Sequence, residues 1–101
     1  MGENIMATNS VVGTWFFDLP AFNSPFGSRP GRRIDHEFLD DGTYKFYDSK
    51  NGRWTGTYTV EGNQITVYNS SRICYIGSLS ASGDKLTLGP PGGDTMSYMK
   101  K

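Results

Sequence analysis

From Val11 onward the chain alternates apolar and polar residues with a period of two, in short runs parted by turn residues, and no apolar pattern persists at helical spacing. The expected class is all-β. The first run, Val11–Asp18, sets Gly13, Trp15 and Phe17 on one face, with Phe16 making the other face partly apolar. Leu19–Gly31 carries Pro20, Pro25 and Pro30 and reads as the one long connection. Arg32–Leu39 then puts Ile34, His36 and Phe38 on one face and Arg33, Asp35 and Glu37 on the other. Asp40, Asp41 and Gly42 suit a tight hairpin, because glycine accepts the positive φ such a turn needs.

Thr43–Asp48 offers Tyr44 and Phe46 inward. Arg53–Val60 sets Trp54, Gly56, Tyr58 and Val60 against Arg53 and three threonines, which favour a solvent-facing pleat. Gln64–Tyr68 carries Ile65 and Val67 inward. Arg72–Ser78 is ambiguous, with Ile73 and Tyr75 on one face and Cys74 and Ile76 on the other. Lys85–Leu88, with Leu86 and Leu88 on one face, and Thr95–Lys100, with Met96 and Tyr98, complete the set. Half-polar strands joined by short turns, about eight in number, are most simply closed into a single-domain antiparallel up-and-down β-barrel, which leaves no sheet edge. A two-sheet sandwich is the rival; its Greek-key connection needs a long loop, and the long loop here directly follows the first strand. Residues 1–10 read as a flexible N-terminal segment before a barrel over 11–101.

A chain of 101 residues fits one domain that buries only about 60–65% of its unfolded surface, so its core has to be volume-efficient. Six Phe, six Tyr and two Trp meet that need while the hydrophobic total is only 36%. Ten Lys plus Arg balance ten Asp plus Glu, so no net field draws in phosphate backbones, and nucleic acid is not an expected partner. The basic knot of Arg29, Arg32 and Arg33 precedes Asp35, Glu37, Asp40 and Asp41 and reads as a partly neutralised, solvated loop and strand edge. One cysteine, Cys74, rules out an internal disulfide and reads as a buried, inert thiol. Met1–Ser10 has no basic-then-apolar signature of a signal peptide, which leaves open a cytoplasmic location or a removed leader. No run approaches a membrane span.

Three elements together, Val12-Gly13-Thr14-Trp15, Phe38-Leu39-Asp40-Asp41-Gly42-Thr43-Tyr44-Lys45-Phe46, and Leu86-Thr87-Leu88 followed by Tyr98, resemble the small lipocalin-like (calycin-type) β-barrels. The resemblance covers nearly all of residues 11–101. It implies that Trp15 closes the barrel floor and that Leu19–Gly31 flanks an open mouth. The chain is shorter than a full lipocalin and has nothing like its C-terminal helix, and in size it is nearer the small bacterial lipocalin-like domains and the β-barrel protease inhibitors.

Candidate chemistry is sparse. His36, the one histidine, points inward and titrates near neutrality, but no nucleophile or partner motif accompanies it. One His and one Cys fall short of a zinc site, so no metal and no cofactor is expected. Asp40 and Asp41 are explained by their turn, and Gly89–Gly93 lacks the Lys-Ser or Lys-Thr of a phosphate loop. The strongest signal is the set of inward rings. If the barrel is not filled by them, a cavity bounded by His36, Phe38, Tyr44, Phe46, Trp54, Tyr58 and Tyr75 suits a small hydrophobic or aromatic ligand, with Phe22 and Phe26 as a lid or a plug at the mouth. The first expectation is therefore a non-enzymatic binding protein. A second is a protease inhibitor acting through Gly2–Ser10 or the Pro-rich loop, and a third is a cyclase or isomerase with His36 or a Tyr as proton donor. Phe16 and Ile76 leave the oligomeric state open.

Overall fold

The computed structural model describes residues 10–101, so the expected flexible segment and the inhibitory role given to Gly2–Ser10 lie, but for Ser10, outside the described residues. Ten strands follow in order: β1 (Gly13–Leu19), β2 (Phe22–Ser24), β3 (Gly27–Arg29), β4 (Arg32–Phe38), β5 (Thr43–Asp48), β6 (Gly52–Glu61), β7 (Gln64–Asn69), β8 (Arg72–Leu79), β9 (Lys85–Gly89) and β10 (Met96–Lys100). Eight of them close an antiparallel barrel in the order β1-β10-β9-β8-β7-β6-β5-β4, while β2 and β3 pair only with each other. The up-and-down barrel read from the alternation is the fold.

The long connection is not a loop throughout. Phe22 pairs with Arg29 and Ser24 with Gly27, so Pro25 and Phe26 form the tip of a small hairpin. Proline pre-sets φ for the first corner of such a turn, which is why a Pro-rich stretch still folds back on itself. The first strand also begins later than the apolar pattern suggests, at Gly13. There φ is +129°, and a Cβ would lie 2.8 Å from the Lys100 ammonium.

Two ends of the barrel differ. At the lower end, β1 meets β10 through Trp15↔Lys100 and Phe16↔Met99, and the Lys101 N–H donates to Thr14 O at 2.9 Å. Trp15 Nε1 donates to Val11 O at 2.8 Å, Lys100 Nζ donates to Val12 O at 2.7 Å, and the same ammonium sits 4.9 Å from the Trp15 ring centroid. Trp15, Phe38, Tyr44, Ile65, Val67 and Leu86 are fully buried and fill this half. Each such side chain contributes roughly 1.5–3 kcal/mol of transfer free energy. Toward the upper end the β1–β10 pairing stops after Phe16, whereas β1 pairs with β4 along its whole length.

Two side-chain placements depart from simple alternation. In β8, Val67 pairs with Tyr75 but Tyr68 pairs with Ile73, so Cys74 is the extra residue of a bulge. That bulge resolves the ambiguous strand: Tyr75 and Leu79 pack against the core, Ile73 is exposed, and Cys74 is half-buried rather than enclosed. In β6, Val60 is half exposed because β6 runs past its last β5 partner, the pair Thr43↔Thr57.

Candidate functional site

Above the filled half the barrel holds a cavity of about 330 Å³ that opens at the upper end. Its walls follow from strand parity. β4 sends Arg32 and Ile34 inward, β5 sends Phe46 and Asp48, β6 sends Trp54, and Tyr75, Leu88 and Tyr98 come from β8, β9 and β10, with Asn51, Asp94 and Met96 among the remaining lining residues. Below Trp54 the strand carries Gly56, where a Cβ would come within 3.0 Å of the indole and 2.2 Å of Tyr68 O. The rings are close to parallel: Trp54 and Tyr75 are 16° apart at 6.5 Å between centroids, and Phe46 lies 33° from Trp54 at 5.5 Å and 31° from Tyr75 at 6.1 Å. Parallel aromatic faces around an open volume favour a flat apolar molecule.

At the rim sits an ion pair. Arg32 Nε donates to Asp48 Oδ1 at 3.2 Å and Nη2 to Oδ2 at 2.7 Å, while the Lys50 N–H and Asn51 Nδ2 each donate to the same carboxylate at 2.9 Å. These donors, the Arg32 guanidinium first, hold the Asp48 carboxyl at about 2 although the side chain is only 1% exposed. The carboxylate is thereby saturated, whereas Arg32 remains 39% exposed with N–H groups to spare. The basic knot is therefore not a uniform solvated run. Arg32 pairs with buried Asp48, Arg33 pairs with Asp35 at 2.8 Å over the Phe16 ring, and Arg29 lies over the Phe22 ring.

His36 lies under the cavity floor, fully buried, with Nδ1 2.5 Å from the Tyr44 hydroxyl. Its neighbours include three cavity-lining rings, Tyr98 edge-on at 4.3 Å, Phe46 at 5.4 Å and Tyr75 at 5.6 Å. Nε2 is buried with no hydrogen-bond partner among the described residues. Burial, in an almost entirely uncharged setting, pushes the imidazole pKa down to about 3, so the ring is neutral at physiological pH and is not available there as an imidazolium proton donor. Burial likewise pushes the Tyr98 phenol up to about 12 and the Tyr44 and Tyr75 phenols upward, so all stay protonated.

Of the residues expected at a binding site, Phe46, Trp54 and Tyr75 line the cavity. His36, Phe38 and Tyr44 are buried beneath it, and Tyr58 belongs to the lower end, where its hydroxyl donates to Leu39 O at 2.5 Å. Phe22 and Phe26 are neither plug nor lining: they are 50% and 98% exposed on the β2–β3 hairpin. Parity could have found Arg32 and Asp48, since Arg32 shares a face with Ile34 and Asp48 with Phe46; their charge argued for the outside. Tyr98 was visible as an inward ring. A second concavity of about 550 Å³ lies on the outer wall among Asp35, Glu37, Lys45 and Arg53, whose opposed charges suit a solvated sheet face. Among the described residues no group of His, Cys, Asp and Glu is placed to hold a metal ion. Comparison of the chain with protein-family models, curated proteins and solved structures yields no match.

Proposed function

We propose that this protein is a non-enzymatic binding protein, built on a lipocalin-like plan, that takes one small, flat, hydrophobic or aromatic molecule in the upper half of its barrel. The observation that carries the reading is the division of the interior, tightly packed below and hollow above, with nearly parallel rings around the hollow. A core that needed only stability gains nothing from leaving about 330 Å³ open, because unfilled volume forfeits dispersion contacts. The lipocalin-like plan is supported by the Gly13 and Trp15 pair at the sealed end and by the long first connection at the open one.

Titration with the neutral fluorophore N-phenyl-1-naphthylamine tests this. A saturable, one-to-one rise in its emission is expected, and it disappears in Leu88→Trp, which fills the cavity. Emission that rises without saturation, or that is unchanged in the filled variant, contradicts the reading. One observation favours a second role, a protease-inhibiting contact through the Pro-rich connection: Phe26 stands 98% exposed at a hairpin tip, a side chain of the type that anchors interfaces. Inhibition of any member of a protease panel, abolished by Phe26→Ser, supports it; no inhibition across the panel removes it.

A further inference from the structure

Three polar side chains around the cavity, Arg32, Tyr75 and Tyr98, keep hydrogen-bond donors with no oxygen or nitrogen acceptor among the described residues. Arg32 spends Nε and one Nη2 hydrogen on Asp48 and keeps the rest of its fork. Neither Tyr75 nor Tyr98 donates its hydroxyl to an oxygen or nitrogen among the described residues; the Tyr98 hydroxyl has only the Met96 thioether, at 3.9 Å. Both phenols line the same cavity as the Arg32–Asp48 pair. Below them, the Tyr44 hydroxyl and His36 Nδ1 share a hydrogen bond whose direction follows the imidazole tautomer, and Nε2 is left with no partner among the described residues. Of the acceptors in the lining, Asp48 is saturated by its four hydrogen bonds, while Asn51 and Asp94 are exposed to solvent, where salt screens the Asp94 charge.

Resting on the binding reading above, we infer that the ligand is an organic acid: a flat apolar body carrying a carboxylate or similarly acidic oxygen group, received by the Arg32 guanidinium and the Tyr75 and Tyr98 hydroxyls, with Asp48 as the residue that positions Arg32. A carboxylate supplies only acceptors, so it satisfies this set, while a cation or an amide donor leaves it unmatched. The inward-facing arginine then has a second use beside its pairing with buried Asp48. Asp48 fixes the guanidinium from the buried side and leaves its remaining N–H groups for the ligand.

Calorimetric titration with 2-naphthoate, methyl 2-naphthoate and 2-naphthylmethylammonium isolates the charge from the ring. The wild-type protein is expected to bind naphthoate about tenfold or more tighter than the ester, the size of one or two charge-assisted hydrogen bonds, and the ammonium most weakly. In the double variant Tyr75→Phe/Tyr98→Phe, which removes only two oxygens, the acid-to-ester ratio is expected to fall several-fold. Ester binding as tight as naphthoate overturns the acid assignment and leaves the hydrophobic binding reading standing. A ratio unchanged in the double variant overturns the assignment to these phenols, and failure of all three probes to bind overturns both.

Discussion

At the scale of single residues, His36 and Asp48, the two buried polar or charged side chains among the described residues, behave oppositely. His36 has a folded pKa of about 3 against an ordinary value of 6.5, because charging it means charging a ring with no water around it. The unfolded chain therefore takes up that proton first. Stability is complete above about pH 6.5 and is lost at up to ~1.4 kcal/mol per pH unit as the pH falls toward 3. Urea unfolding at pH 7, 5.5 and 4.5 should show this slope, and His36→Gln should flatten it; an equal slope in the variant contradicts the assignment. Asp48 is buried charged, so its contribution is full above the ordinary carboxyl value of 3.8 and is lost as the pH falls from there to about 2. Asp48→Ala removes the acceptor of four hydrogen bonds and should cost about 2–3 kcal/mol, whereas Arg33→Ala at the more exposed Arg33–Asp35 pair should cost clearly less. Chemical denaturation of the two variants checks the contrast.

At the scale of elements, the barrel strands depend on close backbone approach in places where a side chain has no room. Gly77 in β8 is the tightest: a Cβ would fall 1.7 Å from Thr87 O in β9. Gly77→Ala should cost at least about 2 kcal/mol or shift the β8–β9 register, read from its denaturation midpoint. By contrast Phe26→Ser in the β2–β3 hairpin should move stability by less than ~0.5 kcal/mol, since the ring buries almost nothing. The strands were legible in the sequence because period-two alternation is what a half-buried strand imposes, and Ile34, His36 and Phe38 or Tyr44 and Phe46 show it without interruption. Three features were not. The β2–β3 hairpin has no alternating apolar residues, being stabilised by turn chemistry around Pro25 and Gly27. The Cys74 bulge is a backbone event that residue types do not encode, and it decides which face of β8 is core. The Arg32–Asp48 pair kept its parity, but charged residues are read as outward unless a partner is visible, and Asp48 lies a full hairpin away.

At the scale of the whole molecule, the proposed binding function rests on the contrast between the two halves of the barrel. The lower half is sealed by Trp15, Lys100 and the fully buried core, so stability does not require the upper half to be filled. A ligand that binds only the folded state then adds RT ln(1 + [L]/Kd), about 2.7 kcal/mol at a hundredfold excess over Kd, which for a domain of this size raises the thermal midpoint by on the order of 10 °C or more. The cavity-filled Leu88→Trp protein should show no such shift. The most direct test is native mass spectrometry of the protein purified gently from its source, compared with its mass after denaturation. A retained mass of a few hundred daltons that is lost on denaturation is the expected result, while the polypeptide mass alone, with no adduct formed from a panel of flat apolar acids and esters, contradicts a binding cavity.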